Sequence, residues 1–384
     1  MRLDEACAHI VDCEHKTAPI DEAGEYFAVG TPAMRDHCIN YAEARRISQA
    51  TFEAWTRRLS PQAGDLLLAR EAPVGPIVRL PSSANVAPGQ RTVLLRPDPS
   101  VTSSDYLYYL LRSPRMQSEL LVKAEGSTVH HLNVADIRAL NVTLPPLPEQ
   151  QAIAEVLGAL DDKIAANTRL AATADAVVRS LVALPHRADS IPLSELFTSP
   201  RVTVDPTSIE ASTPYVGLEH VPRRSMWLNE VGIAQDATST KSAFERGDVL
   251  FGKLRPYFHK VATAPFSGVC STDILVLRAR ETELSGFASA SVASDSVVAS
   301  VTASSEGTRM PRASWKDLAA VDVPWPGRTE ALRISREIAS IREAVIAKLA
   351  ENRTLAATRD TLLPKLMSGA IRVRDAEATA AEML

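Results

Sequence analysis

Two stretches of this 384-residue chain place apolar residues at steps of three and four. From Glu149 to about Ala183 they are Ile153, Val156, Leu157, Leu160, Ile164, Leu170, Val177 and Leu181. From Thr329 to about Met367 they are Ile334, Ile338, Ile341, Val345, Leu349, Leu355, Leu362 and Leu366. That spacing draws a stripe down one face of a helix. Prolines frame both segments: Pro145, Pro146 and Pro148 precede the first, Pro185 follows it, and Pro324 and Pro326 precede the second. Pro364 falls late in the second helix, where its missing N–H should kink or fray the last turns. A helix of about 36 residues is roughly 54 Å long, more than the width of a small domain. The two stripes therefore predict an antiparallel coiled-coil pair. Its seam takes Ile153, Leu160, Ile164 and Leu170 from the first helix and Ile338, Ile341, Val345 and Leu355 from the second. Asn167 and Asn352 occupy equivalent positions in that seam, where a polar residue fixes register at some cost in stability.

Outside the stripes the pattern shortens. "DLLLAR", "PIVRL" and "RTVLLRP" in the first half, and "DVLFGKLR", "KVATA" and "TDILVLRA" in the second, are strand-length runs bounded by Gly, Pro and Ser. "SDYLYYLLRSPRMQSELLVKA" (104–124) and "ELSGFASASVASDSVVASVTA" (283–303) read as helices. Each globular part is thus mixed α/β.

The two halves echo each other. "GDLLLAREAPVG" at 64–75 aligns without gaps with "GDVLFGKLRPYF" at 247–258, an offset of 183 residues. "EGSTVHHLNVADIRALNVTLPP" from 125 matches "EGTRMPRASWKDLAAVDVPWP" from 306, and "NTRLAAT" at 167–173 matches "NRTLAAT" at 352–358. Three matches at nearly one offset mark a tandem duplication with pseudo-twofold character. The expected division is a globular domain over 1–147, a helix over 148–184, a second globular domain over 185–327, and a second helix with its tail over 328–384.

Composition narrows the class. With 45% hydrophobic and 23% charged residues, each part can bury an ordinary core. Four irregularly placed cysteines, Cys7, Cys13, Cys38 and Cys270, do not make a disulfide framework and fit a reducing compartment. The N-terminus carries charges where a signal peptide needs an apolar core, and no run of about 18 apolar residues occurs, so the expectation is a soluble cytoplasmic protein. A net charge of -4 excludes a generally basic surface, so any nucleic-acid binding rests on local patches and the chain alone should hold DNA weakly.

The ordered set "DCEHKT", "LPPLPEQQAIAEVLGALDDKI", "GDVLFGKLRPYFHK...GVCSTDILVLR", the EGS and EGT turns and the closing "LLPKLMSGAIRV" resembles the specificity subunit of type I restriction-modification systems over essentially the whole chain. One departure is "PWPGRTEALRI", which lacks the proline-glutamine opening at the second helix. The resemblance implies two tandem target-recognition domains, each reading one half of a bipartite, asymmetric DNA site. It implies helices that set the gap and dock two methyltransferase subunits, with restriction and translocase subunits in the full complex. S-adenosylmethionine and the adenine chemistry would then belong to the partners. It also points to Lys16 and Thr17, in "DCEHKT", as backbone contacts. Two readers on a rigid spacer suit a duplex that presents its major groove on one face about every 34 Å.

The residues themselves suggest where DNA would be touched. "KLRPYFHK" (253–260) gathers Lys253, Arg255, His259 and Lys260 around Tyr257 and Phe258 with no acid. Arg and Lys can bridge phosphates or pair with guanine, and aromatics can pack on sugars or thymine methyls; the competing reading is a solvated strand end with core aromatics. Arg70 stands at the position of Lys253 in the first half, beside Glu71. The loop pairs Arg45–Arg46, Arg57–Arg58 and Arg223–Arg224 are further candidates against a solvated-surface reading. So are Ser127, His130 and His131 after the EGS turn and Thr308, Arg309 and Arg312 after the EGT turn.

Other chemistry finds little support. Cys7, His9, Cys13 and His15 are zinc-ligand types, but the spacing lacks a C-x-x-C knuckle, so no metal is expected. There is no Pro-Pro-aromatic methylation motif, no G-x-G-x-x-G, no P-loop and no H-E-x-x-H. The chain is therefore expected to be non-catalytic. Remaining alternatives are a DNA reader from a related phage-defence system, a coiled-coil scaffold that never touches DNA, and a single-chain modification enzyme, which would need the cofactor motif missing here.

Overall fold

The computed structural model describes all residues except 83–84, 125–129, 184–188, 237–238 and 305–310. Two compact units emerge: Met1–Lys163 with Thr354–Leu384, and Ile164–Arg353. The long helices run over Leu147–Val182 and Arg328–Met367. Each lends one segment to each unit, because these segments complete the units' cores and do not stand apart as separate rods. The expected boundaries at 147, 184 and 327 therefore differ from the compact units.

In the first unit a four-stranded antiparallel sheet is built from β1 (Cys7–Asp12), β2 (Leu66–Arg70), β3 (Val74–Arg79) and β4 (Thr92–Pro97), in the order β1-β4-β2-β3. All five residues of β2 are buried, as a central strand covered on both faces requires. In the second unit β5 (Phe197–Thr198), β6 (Val249–Gly252), β7 (Val261–Thr263) and β8 (Ile274–Ala279) repeat the plan as β5-β8-β6-β7, again antiparallel throughout. A smaller sheet accompanies each. In the first unit Tyr26–Val29 lies parallel to Val86–Pro88, and in the second Pro214–Val216 lies parallel to Gly268–Cys270.

The matched "GD" dipeptides explain themselves here. Gly64 and Gly247 have φ of +84° and +94°, a left-handed turn that suits glycine. The following Asp65 and Asp248 are almost fully buried. Asp65 accepts from the Gln62 amide at 2.9 Å and from Arg96 Nε and Nη2 at 2.9 and 2.7 Å. Asp248 accepts from the Glu245 amide at 2.8 Å and from Arg278 Nε and Nη2 at 2.9 and 2.8 Å. One turn and one ion pair thus anchor the central strand in both halves.

Two segments expected as single helices are each broken in two. Ser104–Arg112 gives way to Pro114–Lys123, and Ser285–Val292 to Asp295–Ser304. Ser113 ends one helix and caps the next: its hydroxyl donates to the Leu110 carbonyl and accepts from the Met116 amide, and Pro114 supplies the first-turn proline. Ser294 accepts from the Val297 amide at the matching break. The helix carrying Pro364 runs on to Met367, so the last turn is formed where fraying was expected. Among the described residues no single helix is long and apolar enough to cross a membrane.

Candidate nucleic-acid interface

In the second unit β6 ends at Gly252 and the chain enters a tightly pinned loop. The Lys253 amide donates to the Asp273 carbonyl at 2.8 Å, the Arg255 amide to the Pro311 carbonyl at 3.0 Å, and the Gly252 amide to the Lys260 carbonyl at 2.8 Å. A short 3-10 turn, Pro256–Phe258, lies between Arg255 and His259, both left-handed with φ near +50°. Arg223 and Arg255 hold their guanidiniums 4.2 and 5.8 Å from the centre of the Phe258 ring, within cation–π range. Tyr257 is half exposed and packs edge-on against Phe258, 4.8 Å between ring centres. Arg223, Arg255 and Phe258 border a cavity of about 400 Å³.

The rest of the predicted cluster is committed elsewhere. His259 is only 2% exposed; its Nε2 lies 2.9 Å from the Ala293 carbonyl and its Nδ1 3.2 Å from Asp295. Burial, foremost, lowers its pKa. It braces the helix pair 285–304 and does not present a surface for contact, which corrects the expectation for it. Lys253 Nζ donates to the Thr272 carbonyl at 2.5 Å, and Lys260 Nζ donates to the Leu218 carbonyl. Burial lowers the pKa of both lysines. Arg224, with φ of +55°, pairs with Asp295 at 3.2 Å, and Arg312 with Asp273 at 2.8 Å.

The first unit builds a different cluster at the same place. Arg70 is 5% exposed. Its Nη1 lies 3.2 Å from His131 Nε2, its Nη2 3.2 Å from His15 Nδ1 and its Nε 3.4 Å from Asp12. His15 meets Asp12 at 2.9 Å, while His131 and Arg91 both face Glu71, at 3.5 and 3.2 Å. The backbone frame is nevertheless shared. Leu132 donates to the Arg70 carbonyl as Ala313 donates to that of Lys253, and the isolated bridge Glu71–His131 corresponds to Leu254–Arg312. Ala72, like its counterpart Arg255, is left-handed before a proline. Arg70 therefore organises the loops from within and, contrary to expectation, is not an exposed contact.

Comparison with known proteins points to one family. Residues 32–174 match the model of the type I restriction modification DNA specificity domain. Over those residues the chain is similar to the type I specificity family. Among curated members of that family, the type I restriction enzyme MjaIX specificity subunit of Methanocaldococcus jannaschii is 31% identical over 31% of this chain and 27% of its own length. The type I restriction enzyme EcoDI specificity subunit of Escherichia coli is 24% identical over 65% of this chain and 64% of its own. The chain thus aligns with less than two thirds of either relative. A crystal structure of the type I restriction-modification system S subunit from M. genitalium shares the fold, with a TM-score of 0.55 and 17% identity over 95% of both chains.

The remaining predicted contacts are spread over the surface. Lys16 is exposed, and the exposed Thr17 donates to Gln90 Oε1 at 3.2 Å. Arg45 and Arg46 lie on the edge strand Arg45–Ile47, with Arg46 donating to the Glu22 carbonyl. Arg57 pairs with Glu14 at 2.9 Å, and Arg58 donates to the Asp12 carbonyl at 3.1 Å. His130 is exposed. Ser127, Thr308 and Arg309 lie outside the described residues. Cys7 and Cys13 are buried, with burial pushing the Cys7 thiol up to about 12. Among the described residues no group of three or more His, Cys, Asp or Glu side chains could hold a metal ion.

The long-helix segments show how the specificity-family signature works. Gln150, from "PEQQ", is buried and spends its whole amide on the loops beside it. Its Oε1 accepts from Thr102 Oγ1 and the Ser103 amide, and its Nε2 donates to the carbonyls of Val101 and Pro145, all within 3.1 Å. In the second unit Asn167 Nδ2 donates to Asn352 Oδ1 at 2.9 Å, and Asn352 Nδ2 reaches Thr168 Oγ1 at 3.3 Å. Ile153, Leu160, Ile338, Val345 and Leu355 are buried, while Ile164 and Ile341 are half-buried. Leu170 is 43% exposed, as is Val177, so neither belongs to the seam; Ala171 and Val178, one position on, are buried instead.

The sequence reading missed the polar hub around Asp161. Arg112 Nη1 and Tyr109 Oη donate to its Oδ2 at 2.8 Å, and Arg359 Nη1 donates to its Oδ1 at 2.6 Å. Burial works to raise this carboxyl, but the Arg112 charge and the Arg359 bond outweigh it and hold it below the usual carboxylate range. Nearby, burial and then the Arg112 charge push His37 down to about 4. The paired charges were visible in the sequence only as unrelated residues 49 and 198 positions apart.

Proposed function

We propose that this chain is the DNA-reading, non-catalytic subunit of a type I restriction-modification complex. Each unit reads one half of a bipartite, asymmetric site. The long helices set the spacing between the halves and dock two methyltransferase subunits. Those partners carry S-adenosylmethionine and transfer the methyl group, and restriction and translocase subunits join them in the full cytoplasmic assembly. The observation that carries this reading is the repetition of one sheet plan, each copy ending in a loop of cations and polar groups at the same point after its central strand. Two different clusters on one frame are what reading two different sequences requires. Within each unit, exposed cations such as Lys16, Arg45, Arg46, Arg57 and Arg58 neutralise phosphates and set position, while side chains directed at base edges discriminate. Arg224, Arg312, Lys253 and Lys260 support the loop that does so in the second unit.

The test is to map methylated adenines in a host that expresses this chain with its methyltransferase partner. A split motif is expected, and exchanging either globular unit for that of a relative should change one half only. An unsplit motif, or none, overturns the reading.

A further inference from the structure

We propose that Arg223 and Arg255 form a guanine-reading fork in the second unit, with Phe258 as the positioning residue that holds both. This rests on the reading of the chain as a DNA-specificity subunit and goes beyond it by naming the base and the atoms that read it.

Most cations around this loop already have acceptors. Arg224 has Asp295, Arg312 has Asp273, Lys253 has the Thr272 carbonyl and Lys260 the Leu218 carbonyl. Arg223 and Arg255 differ: among the described residues neither guanidinium has a hydrogen-bond or ion-pair partner, and each is held only by the face of Phe258. A guanidinium stacked on an aromatic keeps its five N–H donors free at its edges, in one plane, with much of its side-chain freedom already removed. Each of the two groups on this ring offers a forked pair of donors, the complement of guanine O6 and N7.

The surroundings favour a base edge over a phosphate. Leu218, Leu254 and Phe258 give the cavity of about 400 Å³ apolar walls, which would strip water from a phosphate without replacing it, and Glu219, which lines it with Lys260, adds a carboxylate that would repel one. A phosphate also needs only charge, which a lysine supplies without a stacked, oriented fork. The loop itself is fixed. His259 is buried beneath it, and backbone bonds tie Arg255 to Pro311 and Arg224 to His259. The fork is therefore set before DNA arrives, and discrimination loses little to ordering.

The test uses the full chain in complex with its methyltransferase subunits and selects from a duplex library randomised across both half-sites. Guanine should dominate one or two positions in the half assigned to the second unit. Arg223→Ala and Arg255→Ala should each lower the guanine preference at one position by roughly 10- to 100-fold, leaving the other half-site and the salt dependence unchanged. Arg223→Lys, which keeps the charge but loses the fork, should fall between the alanine variant and wild type in guanine preference. Phe258→Leu should weaken both positions and Phe258→Tyr should restore them, separating a positioning role from a fold defect. Three results overturn the fork. One is the absence of guanine at the wild-type half-site. Another is an Arg223→Lys variant with wild-type preference. The third is a loss uniform over all sequences with a salt slope shallower by about 0.9 per arginine, the mark of phosphate contact. If the wild-type complex selects no split site, the parent reading falls as well; if it selects one that these variants leave intact, the fork alone falls.

Discussion

The two units share their framework and differ at their joints. Both hang a four-stranded sheet from a Gly-Asp turn and lock it with a buried aspartate gripping an arginine on the adjacent strand. At the start of the long helices they part. The first unit closes with Gln150, whose amide is fully satisfied by Thr102, Ser103, Val101 and Pro145. Among the described residues the second has no such clamp. Ala331 is buried near the equivalent position, Ser335 accepts from the Phe287 amide at 3.0 Å, and Arg328 pairs with Glu281 through both nitrogens. Duplication therefore kept the interaction that orders each sheet and let the helix attachment diverge. The missing proline-glutamine opening in "PWPGRTEALRI" is the sequence trace of that divergence.

This comparison can be broken most forcefully at the shared feature. Asp65→Ala should cost the first unit about 3 kcal/mol, because it strands Arg96 beside a dry strand end. Asp248→Ala should cost the second somewhat less, about 2 kcal/mol, since Arg278 is more exposed and keeps Glu245 at 2.8 Å. Urea unfolding with segment-resolved hydrogen exchange measures both. A variant that loosens both units alike would contradict two separately anchored copies.

A smaller effect is expected where the units diverge. Gln150→Ala leaves buried Thr102 and the Ser103 amide without their acceptor and should cost about 2 kcal/mol. Ala331→Gln should not stabilise the second unit, because the extra volume enters a filled site at a cost of about 1–3 kcal/mol. If Ala331→Gln proved stabilising, the helix starts would be interchangeable after all. The mildest test concerns the asparagine pair. Asn167→Leu alone should lose about 1–2 kcal/mol by leaving the Asn352 Oδ1 without its donor, and adding Asn352→Leu should recover most of it. Simple additivity in that cycle would show that the two amides do not act together.

What the sequence disclosed follows from these distinctions. Repeats, strands and long helices were legible because periodicity and an offset near half the chain depend on many residues at once. Single side chains were not. Leu170 and Ala171 are neighbours on a helix, and a leucine counts as apolar stripe while an alanine reads as neutral, so spacing chose the wrong one. Arg70 and Lys253 align in sequence, yet two histidines and Asp12 surround the first and only backbone carbonyls and a distant loop meet the second. Gln150 looks like any surface glutamine until its four partners, brought in from the chain just before it and from residues 101–103, are seen around it. The breaks at Ser113 and Ser294 turn on one hydroxyl each, a signal too local to interrupt an apolar pattern.

The turn that precedes the paired prolines has an evolutionary side. Ala72 and Arg255 hold the same unusual backbone angle, so the geometry predates whatever each side chain now does. An inherited peg position of this kind accepts a methyl group in one copy and a guanidinium in the other at one φ. New preferences can then arise by single codon changes at a site whose shape has already been settled, and a lineage can sample targets without first risking its fold.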